Sequence, residues 1–124
     1  MRISRSGACG NSPKNEFAED IAISLAERDH RAFENNLTED FRWVVAGETL
    51  SYGREAFLRQ IEGDSPADAV TVFHVTTHGR VGAVNGELAL RSGYVAFCHV
   101  IEFGDAKGET IKTITSYLVP LDYR

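Results

Sequence analysis

Tyr94-Val-Ala-Phe-Cys-His-Val-Ile-Glu-Phe103, then a polar break at Gly104-Asp-Ala-Lys-Gly-Glu109, then Ile111-Lys-Thr-Ile-Thr-Ser-Tyr-Leu-Val119: this stretch decides how the chain is read. Both runs are dense in β-branched and aromatic residues, and the break supplies the glycines and polar side chains of a loop. They predict a long antiparallel hairpin. Upstream, Val81-Gly-Ala-Val-Asn-Gly-Glu-Leu-Ala-Leu90 sets Asn85-Gly86 between apolar residues. That pair is the strongest short-range hairpin signal, because a type I′ turn needs positive φ at both central positions. The two hairpins share a strand, so one continuous sheet is expected from about residue 69 to 119.

Pairing arithmetic then distributes the side chains. With Asn85-Gly86 as a two-residue loop, Val84 faces Glu87, His74 faces Phe97 and Val72 faces His99. An even-length loop at 104–109 sets His99 beside Ile114 or Lys112, and Phe97 beside Ser116 or Ile114. One face then carries Val72, His74, Thr76, Val95, Phe97, His99, Ile101, Ile114, Ser116 and Leu118. The other carries Phe73, Val75, Tyr94, Ala96, Cys98, Val100, Thr113, Thr115 and Tyr117. A bulge at Gly79 or Gly93 would slip this register and exchange faces beyond it. Neither face is plainly polar, so cover is expected on both sides of the sheet centre.

Length and charge bound the partners. The 124 residues suit one domain with its own core, here residues 13–124 behind a flexible lead-in over 1–12. A net charge of −5 with no basic patch argues against nucleic acid. No apolar run approaches the roughly 20 residues of a membrane span. The N-terminal stretch is positively charged but has no apolar core of a signal peptide. Two cysteines, one in a Gly/Ser/Asn-rich stretch and one mid-strand, do not make a disulfide framework; a reduced, cytoplasmic chain with a buried, inert Cys98 is expected.

The remaining elements follow in order. Ser12-Pro13 or Asn15 opens a helix, with Phe17, Ile21 and Leu25 at i, i+4, i+8 and Ala18, Ala22 and Ala26 beside them. Glu16, Glu19 and Asp20 sit early, where the helix dipole favours negative charge. A second short helix is expected over His30–Leu37, with Phe33 and Leu37 on one side. Phe41–Val45 reads as a strand and Leu50–Gly53 as a short extended piece. Gly53–Glu62 reads as a third helix burying Phe57 and Ile61, with Gly63 as its C′ glycine. Helices first and three long strands last make an α+β domain, its helices on one face of a curved antiparallel sheet.

The order and text of these elements resemble the nuclear transport factor 2-like superfamily, particularly its SnoaL-like and ketosteroid-isomerase-like branches. The resembling pieces are Leu25-Ala-Glu-Arg-Asp29, Tyr52-Gly-Arg-Glu-Ala-Phe57, Phe97-Cys-His-Val-Ile-Glu-Phe103 and Ile111-Lys-Thr-Ile-Thr-Ser-Tyr117, spaced over nearly all of the chain from residue 15 onward. The resemblance implies a cone-shaped α+β barrel, its sheet wrapped around the N-terminal helices. It also implies an apolar pocket between sheet and helices, and frequent dimers. It does not fix an activity, because the superfamily mixes isomerases, cyclases, dehydratases, hydrolases and non-catalytic binders. Ketosteroid isomerases use a carboxylate base, a tyrosine and a protonated aspartic acid. Those positions fall near Val44 or Val45, near Ile21 and on His99, so two of the three groups are missing and that mechanism is not expected.

His99 is the leading candidate for chemistry. It lies amid Val95, Phe97 and Ile101 on the face the resemblance assigns to the pocket, and neutral imidazole can donate to an oxyanion or carry a proton. The plain alternative is a core histidine satisfied by a neighbour. Trp43, Tyr52, Phe57, His74, Phe97, His99, Ile114, Ser116 and Leu118 are the expected ligand-lining set, with Ser116 and His74 as polar partners. His74 sits one diagonal step from His99 in this register, but with His78 it offers no carboxylate on that face, so no metal site is expected. Asp40 and Glu48 flank the first strand as the only nearby carboxylates that could replace the missing base. No P-loop, dinucleotide fingerprint, nucleophile elbow or zinc spacing is present. A small apolar organic ligand is expected in the pocket, with cofactor-free, isomerase- or cyclase-like proton transfer through His99 if the chain is an enzyme; the alternative is a non-catalytic ligand-binding or dimeric interaction module. The outer sheet face, with Phe73, Tyr94 and Cys98, is too apolar for a monomer and is expected to bury itself in a homodimer.

Overall fold

Ser12 caps the first helix, its hydroxyl accepting the Asn15 amide, and Pro13 follows at the first helical position. This helix, α1 (Pro13–Glu27), ends at Arg28, whose left-handed backbone (φ 57°) returns its amide to the Leu25 carbonyl. It lies across β4 (Ala69–His78) and β5 (Val81–Leu90). A 3-10 turn (His30–Ala32) leads to β2 (Leu37–Val45), β3 (Ser51–Gly53) and α2 (Arg54–Gly63), and β6 (Gly93–Phe103) and β7 (Ile111–Leu121) complete the chain. A further strand, β1 (Arg2–Ser4), precedes them all. The computed structural model describes residues 1–122.

The described strands form one sheet in the order β1-β4-β5-β6-β7-β2-β3. β4 to β7 run as an antiparallel meander, but β1 on β4 and β2 on β7 are parallel, so the sheet is mixed rather than purely antiparallel. It curls around α1 and α2, giving the expected α+β cone. Inside lies an aromatic cluster centred on Phe57. Its ring centroid is 5.2 Å from that of Phe33, 4.9 Å from Phe41 and 5.2 Å from Trp43. Ile61, Ile101, Ile111 and Ile114 close the core around it.

Several expectations are corrected. Asn85-Gly86 is not a turn; both residues lie within the unbroken strand β5. The turns are at Gly79-Arg80 and Arg91-Ser92. Gly79 alone carries positive φ (60°) in its two-residue loop, the pattern that type II′ hairpins use. Gly86 is a glycine for another reason. A Cβ there would collide with the Thr71 carbonyl oxygen of β4 and approach the Phe97 ring. Moving the turn changes every partner: His74 faces Asn85, and Phe97 lies between Gly86 and Leu118. His99 lies between Val84 and Ser116, so neither Ile114 nor Lys112 is its neighbour. The β6–β7 loop is set by Asp105, whose carboxylate accepts the Glu109 amide and the Thr110 hydroxyl.

A register shift between Val72 and His74 turns His74 and Thr76 outward and Val75 inward, the reverse of the expected faces. The second helix is only the 3-10 turn; Leu37 begins β2, although Phe33 and Leu37 are both buried as the pattern required. Gly63 is the last helical residue, and Asp64 ends α2 in extended backbone without a left-handed glycine. The N-terminal stretch expected as a flexible lead-in carries β1, paired residue by residue with Ala69–Thr71.

Candidate functional site: a buried tryptophan–serine–histidine relay

The site is assembled by one row of the sheet. Along the inner face Val75, Val84, His99, Ser116 and Val45 stand side by side on β4, β5, β6, β7 and β2. Alternation puts Phe97 one step along β6, where its ring stacks on the imidazole at 4.9 Å between centroids. Trp43 pairs with Ile114 on the neighbouring row, and its indole reaches across to Ser116. Trp43, Phe57, Phe97, His99, Ile114 and Ser116 are all buried here, so six of the expected ligand-lining residues share the interior. Tyr52 is half-buried against Trp43, at 5.4 Å between ring centroids. Leu118 faces inward but stands 42 % exposed at the end of β7. His74 is not among them: it lies on the outer face, hydrogen-bonded to Asn85.

The hydrogen bonds fix the protons. Trp43 Nε1 donates to Ser116 Oγ at 3.0 Å, and Ser116 Oγ lies 2.8 Å from His99 Nδ1. Indole N–H can only donate, so Ser116 accepts there. Ser116 is fully buried, and among the described residues its hydroxyl has no partner besides Trp43 and His99. A buried hydroxyl proton left without an acceptor is costly, so it goes to Nδ1. The proton count therefore assigns His99 the tautomer protonated at Nε2. Nε2 has no protein partner among the described residues, yet Arg54 Nε is the only buried side-chain nitrogen or oxygen there without one. The 6 % of His99 that remains accessible thus includes Nε2.

Burial drives the His99 pKa down from 6.5 to about 3, and the Arg28 charge adds to the fall. Protonating it would strand a cation in an apolar interior. At neutral pH the ring is an uncharged donor. The positions considered for a base do not supply one: Val44 and Val45 are aliphatic, while Asp40 and Glu48 are exposed, Asp40 being bonded to Thr38. Among the described residues no cluster of three or more histidines, cysteines or acids could hold a metal. Arg28 falls at the corner where α1 ends, and its effect on His99 leaves no pattern in the sequence because it depends on how α1 is packed against the sheet.

Cavities lie elsewhere on the molecule. One of about 420 Å³ runs between α1 and the 3-10 turn, over Phe17, Ile21 and Phe33. Another, of about 310 Å³, is a shallow apolar groove on the outer sheet face along Asn85, Cys98, Tyr117 and Val119. Neither is lined by His99.

No family model and no curated protein matches this chain. Solved structures do. A candidate ketosteroid isomerase from Kribbella flavida DSM 17836 is 23% identical, with 90% of this chain and 80% of that one covered and a TM-score of 0.72. A nuclear transport factor 2-like protein of unknown function from Burkholderia xenovorans LB400 is 12% identical, covering 90% and 87%, with a TM-score of 0.72. A candidate isomerase of the SnoaL-like family from Agrobacterium tumefaciens str. C58 is 14% identical, covering 85% and 97%, with a TM-score of 0.65. At such identities the likeness carries the fold and not the activity.

Proposed function

We propose, starting from the nuclear transport factor 2-like fold this chain has in common with those structures, that it is a small-molecule-binding module. In this reading His99 presents a neutral Nε2–H to an acceptor oxygen on a largely apolar ligand, and does not carry protons. The observation supporting it is the Trp43–Ser116–His99 relay, which occupies Nδ1 and leaves a donor at Nε2. A ring with a pKa near 3 is a weak base and is scarcely ever the acid at neutral pH. Carbonyls, enolates and phenolates are the matching groups. Neither of the two cavities opens onto His99, so the ligand would enter past half-buried Tyr52 and exposed Leu118 by parting the apolar wall of Trp43, Phe57, Phe97 and Ile114, with Ser116 as the residue that orients His99. His74, on the outer face, has no part in it.

The test is a thermal-shift screen of flat carbonyl, phenol and enolate compounds on wild type and on His99→Ala. A compound binding only the native state stabilises it by about 2.7 kcal/mol at a hundred times Kd. Hits that disappear in a folded His99→Ala protein support the proposal. A strongly destabilised variant and no hits with wild type would make His99 a core histidine and end it.

The outer face supports a second proposal, a homodimer. Phe73, Tyr94, Tyr117 and Val119 stand 45 %, 47 %, 48 % and 57 % exposed, an apolar area of the kind that interfaces cover. No helix among the described residues is long and apolar enough to cross a membrane. Cys9 and Cys98 are both free thiols, which suits the reducing cytoplasm proposed as its location.

A further inference from the structure

Glu19 is a buried carboxylate that the relay does not use. It sits on α1 with 2 % of its surface exposed, and three groups from the N-terminal stretch converge on it. The Ser6 amide donates to Oε1 at 2.7 Å, Arg5 reaches Oε2 at 3.3 Å, and the Cys9 thiol donates to Oε2 at 3.2 Å. Arg5 also forks to Asp20 at 2.9 Å. Beyond these contacts the stretch is held by the Arg2 amide on the Asp68 carbonyl, by the Ser12 amide on the Cys9 carbonyl and by Cys9, half-buried against the core. All three residues of β1 are exposed, Ile3 by 44 %, and Gly7 and Ala8 are exposed as well. A cavity of about 590 Å³ lies beside it, lined by Arg5, Gly7, Cys9, Gly10, Glu16 and Glu19. The stretch arches over this space instead of packing into it. Apolar burial at roughly 25 cal/mol per Å² has little area to act on here, so polar contacts decide whether the stretch stays down.

We propose that residues 2–9 are a detachable strap, held closed by the Glu19 carboxylate, whose release bares the edge of β4 and the Cys9 thiol while the cone stays folded. Removing Glu19 removes three acceptor contacts at once, and what remains is a three-residue parallel pairing at the sheet edge, extended by the Arg2 amide on the Asp68 carbonyl, and the exposed Arg5–Asp20 ion pair. Such a pairing is weak alone. The strap also gates its own cysteine. Burial and the neighbouring carboxylate push the Cys9 pKa up, so the closed strap keeps it an unreactive thiol.

The test compares alkylation of Cys9 and of Cys98 by N-ethylmaleimide, resolved by peptide mass, in wild type, Glu19→Met and Ser6→Pro. Ser6→Pro deletes the 2.7 Å amide contact while leaving Glu19 and its charge in place. Hydrogen exchange at Ala69–Thr71 is read alongside, which separates strap release from a merely more acidic thiol. Expected in both variants are at least tenfold faster modification of Cys9, unchanged Cys98, and faster exchange confined to the β1–β4 pairing. Cys9 within twofold of wild type in Ser6→Pro would overturn the proposal. So would Cys98 rising in parallel, or failure of Ser6→Pro to fold, since the strap would then be integral to the core.

Discussion

His99 is neutral inside the fold, and that neutrality has a consequence in acid. The unfolded chain takes up a proton at this position near the ordinary pKa of 6.5, whereas the folded chain resists until about 3. Below pH 6.5 the unfolded state therefore binds the extra proton, and stability falls with falling pH, by up to about 1.4 kcal/mol per pH unit from this one group. The loss is complete near pH 3 and absent above 7. Denaturant titrations between pH 4 and 7 should show this limb in wild type and a flatter one in His99→Gln, which keeps a polar group against Ser116 without titrating. An identical slope in the variant would mean that His99 titrates normally and that the ring is open to water. The inward placement of His99 and Ser116 was legible in the sequence, because alternation within β6 and β7 fixes a face without knowing the neighbouring strand. The bond between them was not, because it depends on register, and register depends on which loops turn.

At the scale of elements, Gly86 shows why register was misread. A glycine after asparagine between apolar residues is the signature of a tight turn, but close approach of a neighbouring backbone selects glycine just as strongly. Here the selector is β4, which shifts register between Val72 and His74 and brings the Thr71 carbonyl against the Gly86 α-carbon. The same irregularity reversed the face of His74, so one local distortion accounts for both the wrong turn and the wrong ligand-lining residue. Gly86→Ala should destabilise the protein by about 1–3 kcal/mol, the usual cost of overpacking, read as a fall in urea midpoint. A variant as stable as wild type would show that β4 can move away freely. The helices were more legible: of the two starts offered for α1, Ser12-Pro13 rather than Asn15 is the one used, and Phe57 and Ile61 named the buried side of α2.

At the scale of the whole molecule, the proposed dimer is the feature that solution behaviour decides. Tyr117 ends a row, His74–Asn85–Cys98–Tyr117, that crosses the outer face of the meander, and stands 48 % exposed there. Placing a charge there should leave the cone intact and split the pair. Sedimentation of wild type should give a dimer at micromolar concentration and of Tyr117→Glu a monomer with unchanged circular dichroism; a monomeric wild type would sink the proposal. The two parallel pairings carry a different consequence, one of timing. The meander β4–β7 joins strands that follow each other directly, so it can assemble early from nearby residues. β2 joins the meander only through β7, where Val45 meets Ser116, and that contact waits until almost the whole chain has emerged. On a ribosome β2 can pair with β3, where Trp43 meets Tyr52, as soon as α2 has emerged, but its other edge stays open until the last strand arrives. The relay that defines the site is then among the last things to form, and chaperones have the longest access to the residues destined for the core.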